Sequence, residues 1–323
     1  MTVQPARVAA VDCGTNSIRL LMVEVDPASG AFTELARENT IVRLGQGVDE
    51  TGQFAPEAIE RTRGALANYV EQMEAAGISR VRMVATSATR DASNRDAFFD
   101  MTRELLGRIQ PGAVAEVISG EEEAALSFRG ATADLDPARG PLCVIDLGGG
   151  STEFVMETSK GLRAHSTQMG CVRITERFMR TDPPTKEETE QARDYINERI
   201  AEAAGVVPFG EARTFVGCAG TFTTLSALAQ ELPDYDPYAI HTSEIPFARM
   251  REVTTALRAQ TAAQRAEDPV VHPGRADVIG SGSTVVEQMM DAFEEVSGAD
   301  VFVVSEKDFL DGIVAGLAAG DPD

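Results

Sequence analysis

Two short stretches of the chain share one pattern, and this repeat constrains the fold more than any other feature. Residues 144–153 read Val-Ile-Asp-Leu-Gly-Gly-Gly-Ser-Thr-Glu, and residues 10–17 read Ala-Val-Asp-Cys-Gly-Thr-Asn-Ser. Each is an apolar strand that runs into an aspartate and a glycine-containing turn. The aligned stretches have three pairs in register: Asp12 with Asp146, Gly14 with Gly148, and Ser17 with Ser151. The repeat predicts two halves built on one plan.

A turn of this composition is suited to binding phosphate. Glycine lets the backbone approach an anion and turn its N–H groups toward it, and hydroxyl or amide side chains add donors. The aspartate supplies a carboxylate that a divalent cation could bridge to phosphate oxygens. Each turn could instead be a plain hairpin, as glycine-rich turns between apolar runs usually are. Two copies in register favour a pair of phosphate-binding turns that face each other across a cleft.

Length and composition limit the function classes. The 323 residues suggest two domains, and the net charge of −22 argues against nucleic acid as a partner. Phosphate capture would have to be local, and arginine must supply the cations because the chain has three lysines among its 29 basic residues. No apolar run is long enough to span a membrane, and the N-terminus has no signal pattern.

The cysteines and histidines favour a cytoplasmic protein without zinc. The four cysteines form no Cys-x-x-Cys motif, and they read as reduced core residues. The three histidines lack the spacing of metal ligands, so we expect no zinc site.

Two charged residues follow predicted strands, one directly and one in the next helix. Arg90 follows the strand over residues 81–85, at the edge where ligands bind in a doubly wound fold. Ser119 and Glu122 fit a capping box, which leaves Glu123 one turn into the next helix. The helix N-terminus would keep Glu123 ionised, as a general base must be. An acidic first turn that only complements the helix dipole is an equally serious interpretation.

Two further sites each have two possible interpretations, and a polar, proline-rich stretch between predicted elements suggests the domain boundary. Gly220 and Thr221 lie at a strand-to-helix turn, which fits either an anion site or close packing of helix on strand. Arg173 could face the cleft or the solvent. The polar, proline-rich residues 134–141 predict domains over residues 1–134 and 135–323, with the last helix free to pack back on the first domain.

In chain order, these motifs resemble the exopolyphosphatase and guanosine pentaphosphate phosphatase family over nearly the whole sequence. The stretches that carry the resemblance are residues 12–20, 85–90, 118–124, 146–153, 220–221 and 274–277. The resemblance implies an α/β fold of two ribonuclease-H-like domains flanking a central cleft, as in the actin/Hsp70/sugar-kinase superfamily.

The resemblance also implies roles for individual residues. Glu123 would be the catalytic base, and Asp146 and Glu153 would hold Mg²⁺ (or Mn²⁺) or the catalytic water, with Asp12 as a further metal ligand. The remaining positions would contact substrate: Asn16, Ser17, Arg19 and Arg90 from the first half, and Gly148, Gly149, Gly150, Ser151, Thr152, Gly220 and Thr221 from the second.

The implied reaction is release of terminal orthophosphate from inorganic polyphosphate by a cytoplasmic enzyme, with a homodimer as an expectation. Short polyphosphate is the expected substrate, because the chain ends after two domains and carries a high negative charge. The family's C-terminal arginine is replaced by Leu310, which argues against a ligand role for that end. The alternatives are guanosine pentaphosphate 5′-phosphohydrolase, a kinase of the superfamily, and a non-hydrolytic nucleotide-binding module.

Overall fold

Strands and helices alternate along the chain and form two sheets. The computed structural model describes residues 6–26 and 31–319; residues 1–5, on which the expectation of no signal pattern rests, lie outside this part. In the described residues, the strands are β1 (Ala6–Cys13), β2 (Ser17–Val25), β3 (Phe32–Ile41), β4 (Arg80–Ala85), β5 (Glu116–Val117), β6 (Leu142–Leu147), β7 (Thr152–Thr158), β8 (Gly161–Thr167), β9 (Thr214–Cys218), β10 (Ser243–Pro246) and β11 (Val301–Val304).

The helices of the described residues follow the same order. They are α1 (Val48–Thr51), α2 (Pro56–Ala76), α3 (Ser87–Asp91), α4 (Asp96–Leu106), α5 (Gly120–Ala131), α6 (Cys171–Phe178), α7 (Lys186–Ala204), α8 (Ala219–Ala229), α9 (Pro237–Ile240), α10 (Phe247–Ala259), α11 (Ala262–Arg265), α12 (Ile279–Ser297) and α13 (Phe309–Ala319). No helix in this part of the chain has the length and apolar character needed to cross a bilayer.

The chain divides into two units. The first comprises the described residues up to Ser119 together with those from Phe309 onward, and the second is Gly120–Asp308. The sequence placed the boundary after residue 134, whereas the units divide before α5. Helix α13 packs against β1 and β2 of the first unit, where Asp311 pairs with Arg37.

Both sheets follow one plan, as the repeat predicted. The first unit has the order β3-β2-β1-β4-β5, and the second has β8-β7-β6-β9-β11 with β10 added at the edge. In each, three antiparallel strands are followed by parallel ones: β1 pairs with β4, and β6 pairs with β9. The duplicated turn therefore joins the first two strands of each unit.

Local signals set the helix ends. Helix α2 begins at Pro56, whose fixed φ suits the first helical position, and ends at Gly77, which adopts a left-handed φ of 68°. Thr185 and Glu188 form a reciprocal capping box at the start of α7. The apolar faces of these helices complete two buried cores, one for each sheet.

Candidate active site

The two glycine turns have the same backbone geometry. In the first, the N–H of Gly14 donates to the carbonyl of Ser17 at 3.0 Å; in the second, the N–H of Gly148 donates to the carbonyl of Ser151 at 3.1 Å. These are the positions that the sequence alignment had matched. The turns are therefore equivalent in structure as well as in sequence.

In the first turn, the aspartate is paired with an arginine. Asp12 lies opposite Arg19 across β1 and β2. The Nε and Nη2 atoms of Arg19 donate to Asp12 Oδ2 at 2.8 and 2.6 Å. Because the Asp12 carboxylate is buried and already has a guanidinium beside it, it fits a cation less well than the sequence suggested.

In the second turn, the aspartate faces a glutamate instead. Asp146 lies opposite Glu153 across β6 and β7, the same register that Asp12 and Arg19 have in the first unit. Residues directly opposite on antiparallel strands project from the same face of the sheet. Both side chains are buried, with 6% and 1% of their surface exposed. Two like charges in this position are unfavourable on their own, so the pair suits a cation.

Two serines orient this carboxylate pair. Ser127 Oγ donates to Asp146 Oδ2 at 2.6 Å, and Ser166 Oγ donates to Glu153 Oε1 at 2.7 Å. Ser166 lies opposite Glu153 on β8, so the sheet register fixes this contact. Each carboxylate is held in a defined orientation, as a metal ligand requires.

Helix α5 brings Glu123 to the same end of the sheet. Gly120, Glu123 and Ser127 have the spacing of one helix face, and Glu123 is 8% exposed. Ser127 contacts Asp146, while Gly120 lies so close to Ser166 that a Cβ there would collide with the serine side chain. Glu123 therefore lies on α5 between Ser127, which contacts Asp146, and Gly120, which contacts the serine that binds Glu153.

The second glycine loop turns its carbonyls toward α6. The N–H groups of Cys171 and Val172 donate to the carbonyls of Gly148 and Gly149 at 3.0 and 2.9 Å. Thr152 is fully buried, and its hydroxyl donates to the carbonyl of Met169 at 3.2 Å. The loop is thus anchored from one side, and the predicted phosphate contacts of residues 148–152 stay predictions.

The remaining predicted residues of the first unit are Asn16, Ser17 and Arg90. The carbonyl of Asn16 accepts from the N–H groups of Val42 and Arg43 at 3.0 and 2.8 Å, and Ser17 begins β2. Arg90 lies on α3, where its Nη1 donates to the carbonyl of Ile118 at 3.1 Å. Phosphate contacts for these residues also stay predictions.

Gly220 and Thr221 lie in the crowded first turn of α8, directly after β9. A Cβ at Gly220 would collide with the guanidinium of Arg275, whose Nη1 donates to the carbonyl of Gly220 at 2.5 Å. Thr221 is buried, and a Cβ at Gly282 would meet its side chain. This environment accounts for the glycine through packing, which was one of the two interpretations of the sequence.

The described residues do not form a complete metal site from protein ligands alone. Within residues 6–26 and 31–319, no group of three or more histidines, cysteines, aspartates and glutamates is arranged to hold a metal ion. Two carboxylates fit Mg²⁺, however, because this ion commonly binds through one or two carboxylates and takes its other ligands from water and substrate phosphates.

Sequence reasoning missed Ser127 and Ser166. Ser127 lies four residues after Glu123, and this helical spacing could have identified it. Ser166 has no local signal, because only the pairing of β7 with β8 brings it to Glu153.

Comparison with known proteins agrees with these features. The chain is 54% identical to exopolyphosphatase 2 of Mycobacterium tuberculosis over 97% of its own length and 98% of the relative's. It resembles a crystal structure of an exopolyphosphatase-like protein, with a TM-score of 0.90, 39% identity and 98% coverage of each chain. It also resembles the Ppx/GppA enzyme of Aquifex aeolicus, with a TM-score of 0.76, 30% identity and coverage of 97% and 99%. These neighbours confirm the two-domain α/β fold. The Ppx/GppA phosphatase family profile matches residues 22–315, and the chain belongs to that family.

Proposed function

We infer that the protein is an exopolyphosphatase, a phosphoanhydride hydrolase that releases terminal orthophosphate from inorganic polyphosphate. The single observation that carries this function is the buried pair Asp146 and Glu153, which lies beside a glycine loop and is contacted by Ser127 of the helix that carries Glu123. The near full-length similarity to an enzyme named exopolyphosphatase 2 supports the same activity. Among the residues that the structure describes, no feature of the site favours guanosine pentaphosphate over polyphosphate.

Asp146 and Glu153 would hold the divalent cation that the family indicates in general; Mg²⁺ or Mn²⁺ is our proposal. The ion would supply positive charge to the phosphate oxygens, which is the main requirement of phosphoryl transfer. Asp12 is a weaker candidate ligand because it is paired with Arg19. The serines at Asp146 and Glu153 would keep both carboxylates in one orientation.

The chain's own residues would act on water and on the terminal phosphate. Glu123 accepts a proton from a water molecule as the water oxygen bonds to the terminal phosphorus. The phosphoanhydride bond on the opposite side breaks, and the shortened chain leaves with its bridging oxygen. Backbone N–H groups of the glycine loops and the side chains of Arg19 and Arg90 would bind the phosphate oxygens.

The test replaces Glu123 with glutamine, which keeps the shape and removes the base. We expect Glu123→Gln to retain polyphosphate binding and to lose at least about 10²-fold in kcat, the typical contribution of a general base. The matched control is Glu121→Gln, an exposed glutamate in the same first turn of α5. Unchanged turnover in Glu123→Gln would reject Glu123 as the base.

The substrate is tested by measuring orthophosphate release from polyphosphate, guanosine pentaphosphate and ATP with Mg²⁺ at equal phosphate concentration. Release from polyphosphate is the expected result. Release chiefly from the guanosine nucleotide would replace the proposed function with the alternative. Chain-length preference, cytoplasmic location and a homodimer stay predictions.

A further inference from the structure

The carbonyl groups of the second glycine loop all point toward the start of α6. The carbonyl of Gly148 accepts from the N–H of Cys171, and that of Gly149 accepts from the N–H groups of Val172 and Arg173. The carbonyl of Gly150 accepts from the N–H of Gly170 at 3.2 Å and from Arg173 Nε at 2.8 Å. The N–H groups in the first turn of α6 therefore donate to carbonyls of the loop.

This orientation decides where the loop can bind an anion. In a trans peptide unit the C=O and the N–H point in opposite directions. With the carbonyls of Gly148, Gly149 and Gly150 turned to α6, the N–H groups of residues 149–151 point away from α6. Successive N–H groups on one side of a loop form a concave donor set that suits a phosphate oxygen.

The first unit contains the same arrangement. There the carbonyl of Asn16 accepts from Val42 and Arg43, and the carbonyl of Thr15 accepts from the N–H of Gly45 at 2.8 Å. Thr15 and Asn16 occupy the alignment positions of Gly149 and Gly150. In both units, backbone N–H groups from the segment that follows the third strand fix the turn. In the second unit, the Arg173 side chain adds a hydrogen bond to the Gly150 carbonyl.

Close packing holds Arg173 and the loop together. Arg173 is 8% exposed, so its hydrogen bond to Gly150 lies in a low-dielectric environment where a charged donor is strong. A Cβ at Gly170 would collide with the carbonyl of Gly149 and the nitrogen of Gly150. The loop therefore packs directly against the residue that precedes α6. A shift of Arg173 would change the orientation of the Gly150–Ser151 peptide.

We propose that Arg173 is a positioning residue for substrate: by donating from Nε to the Gly150 carbonyl, it holds the Gly150–Ser151 peptide with its N–H directed at a phosphate of the polyphosphate chain. The guanidinium also polarises this peptide, which strengthens its N–H as a donor. This role rests on the proposed exopolyphosphatase function, and it concerns substrate binding rather than proton transfer.

The test compares Arg173→Ala and Arg173→Lys with the matched control Arg177→Ala. Arg177 lies one turn further along α6, where it contacts Tyr195. We expect Arg173→Ala to raise KM for polyphosphate by about tenfold, the usual effect of losing a charge-assisted hydrogen bond, with kcat nearly unchanged. Arg173→Lys keeps the charge but lacks Nε, so its KM should lie between those of the wild type and Arg173→Ala. Arg177→Ala should keep the KM of the wild type.

Chemical rescue separates positioning from mere stability. Free guanidinium ion at tens of millimolar should lower the KM of Arg173→Ala toward the wild-type value and leave Arg177→Ala unaffected. An unchanged KM in Arg173→Ala, or a fall in kcat alone, would overturn the proposal. If circular dichroism shows that the alanine variant is unfolded, a wild-type KM in Arg173→Lys would overturn it instead.

The failure of the proposed function has a different signature. If the wild-type protein releases no orthophosphate from polyphosphate, exopolyphosphatase activity is rejected. Calorimetric titration of metal-free protein with tripolyphosphate then tests Arg173 alone, with about tenfold weaker binding by Arg173→Ala as the expected result and equal binding as the result against it.

Discussion

Asp146 and Glu153 lie directly opposite each other on antiparallel strands, and both carboxylates are buried. The equivalent positions of the first unit hold Asp12 and Arg19, which neutralise each other. One copy of the repeated turn therefore has an ion pair, and the other has a pair of like charges. This difference supports our proposal that a cation binds at the second copy and that the first copy contacts phosphate through arginine.

Removing Glu153 should weaken divalent cation binding. We expect Glu153→Gln to lower the affinity for Mg²⁺ by at least about tenfold. Loss of a residue that only supports a metal ligand already lowers metal affinity by about this factor, and loss of the ligand itself should lower it at least as much. Thermal unfolding with EDTA or Mg²⁺ measures this, because bound ligand stabilises the folded state. Glu157→Gln is the control, since Glu157 lies on the same strand but is exposed. Equal Mg²⁺-induced shifts in the two variants would contradict the metal site.

The Asp12–Arg19 pair should matter more for stability than an exposed pair on the same strands. Arg19→Ala leaves a buried carboxylate without its main partner, and we expect a loss of about 1–3 kcal/mol in the free energy of unfolding. Arg7 pairs with Glu24 across the same two strands but is exposed, so Arg7→Ala should cost about 0.2–1 kcal/mol. Denaturant unfolding measures both. Similar losses would show that burial of Asp12 does not strengthen its pair.

Gly220 provides a test between packing and anion binding. Gly220→Ala would displace the Arg275 guanidinium and break its hydrogen bond to the Gly220 carbonyl, and we expect a cost of about 1–3 kcal/mol from overpacking. The double variant with Arg275→Ala should show much less than the sum of the two single losses. Gly64→Ala is the control, because a Cβ there meets nothing within 4 Å. Additive losses would favour a role for Gly220 that is independent of Arg275.

His272 should make stability depend on pH near neutrality. Partial desolvation of the ring, together with the positive charge of Arg275, lowers the pKa of His272 below its usual 6.5. The neutral ring caps a short helical turn, where Nδ1 accepts from the N–H of Gly274 at 3.1 Å. Because the unfolded chain binds the proton more readily, this contribution is complete above pH 6.5 and is lost as the pH falls below it.

His272→Asn keeps an N-cap acceptor that does not titrate. The free energy of unfolding of the wild type should therefore fall relative to that of His272→Asn as the pH is lowered from 7 to 5. Denaturant unfolding at a series of pH values measures this difference. Parallel curves for the two proteins would show that His272 does not contribute.

Much of the architecture could be predicted from short sequence signals. Pro56 and Gly77 bound α2, Thr185 and Glu188 cap α7, and the duplicated turn predicts two sheets of one plan. These features depend on residues close together in the chain, where strand period, capping and glycine conformation act directly. The unit boundary was harder, because α5 could join either neighbour in sequence and only packing against β6, β7 and β8 decides its place.

The sequence by itself determined that the chain has two equivalent glycine turns with aspartates in register, since the pattern of apolar and turn residues dictates both hairpins. Only the tertiary structure decided what surrounds them. Ser166 reaches Glu153 through strand pairing, and Arg173 reaches the Gly150 carbonyl across 23 residues. Such contacts depend on how whole elements pack, because a buried polar group takes whichever partner the fold brings within hydrogen-bond distance.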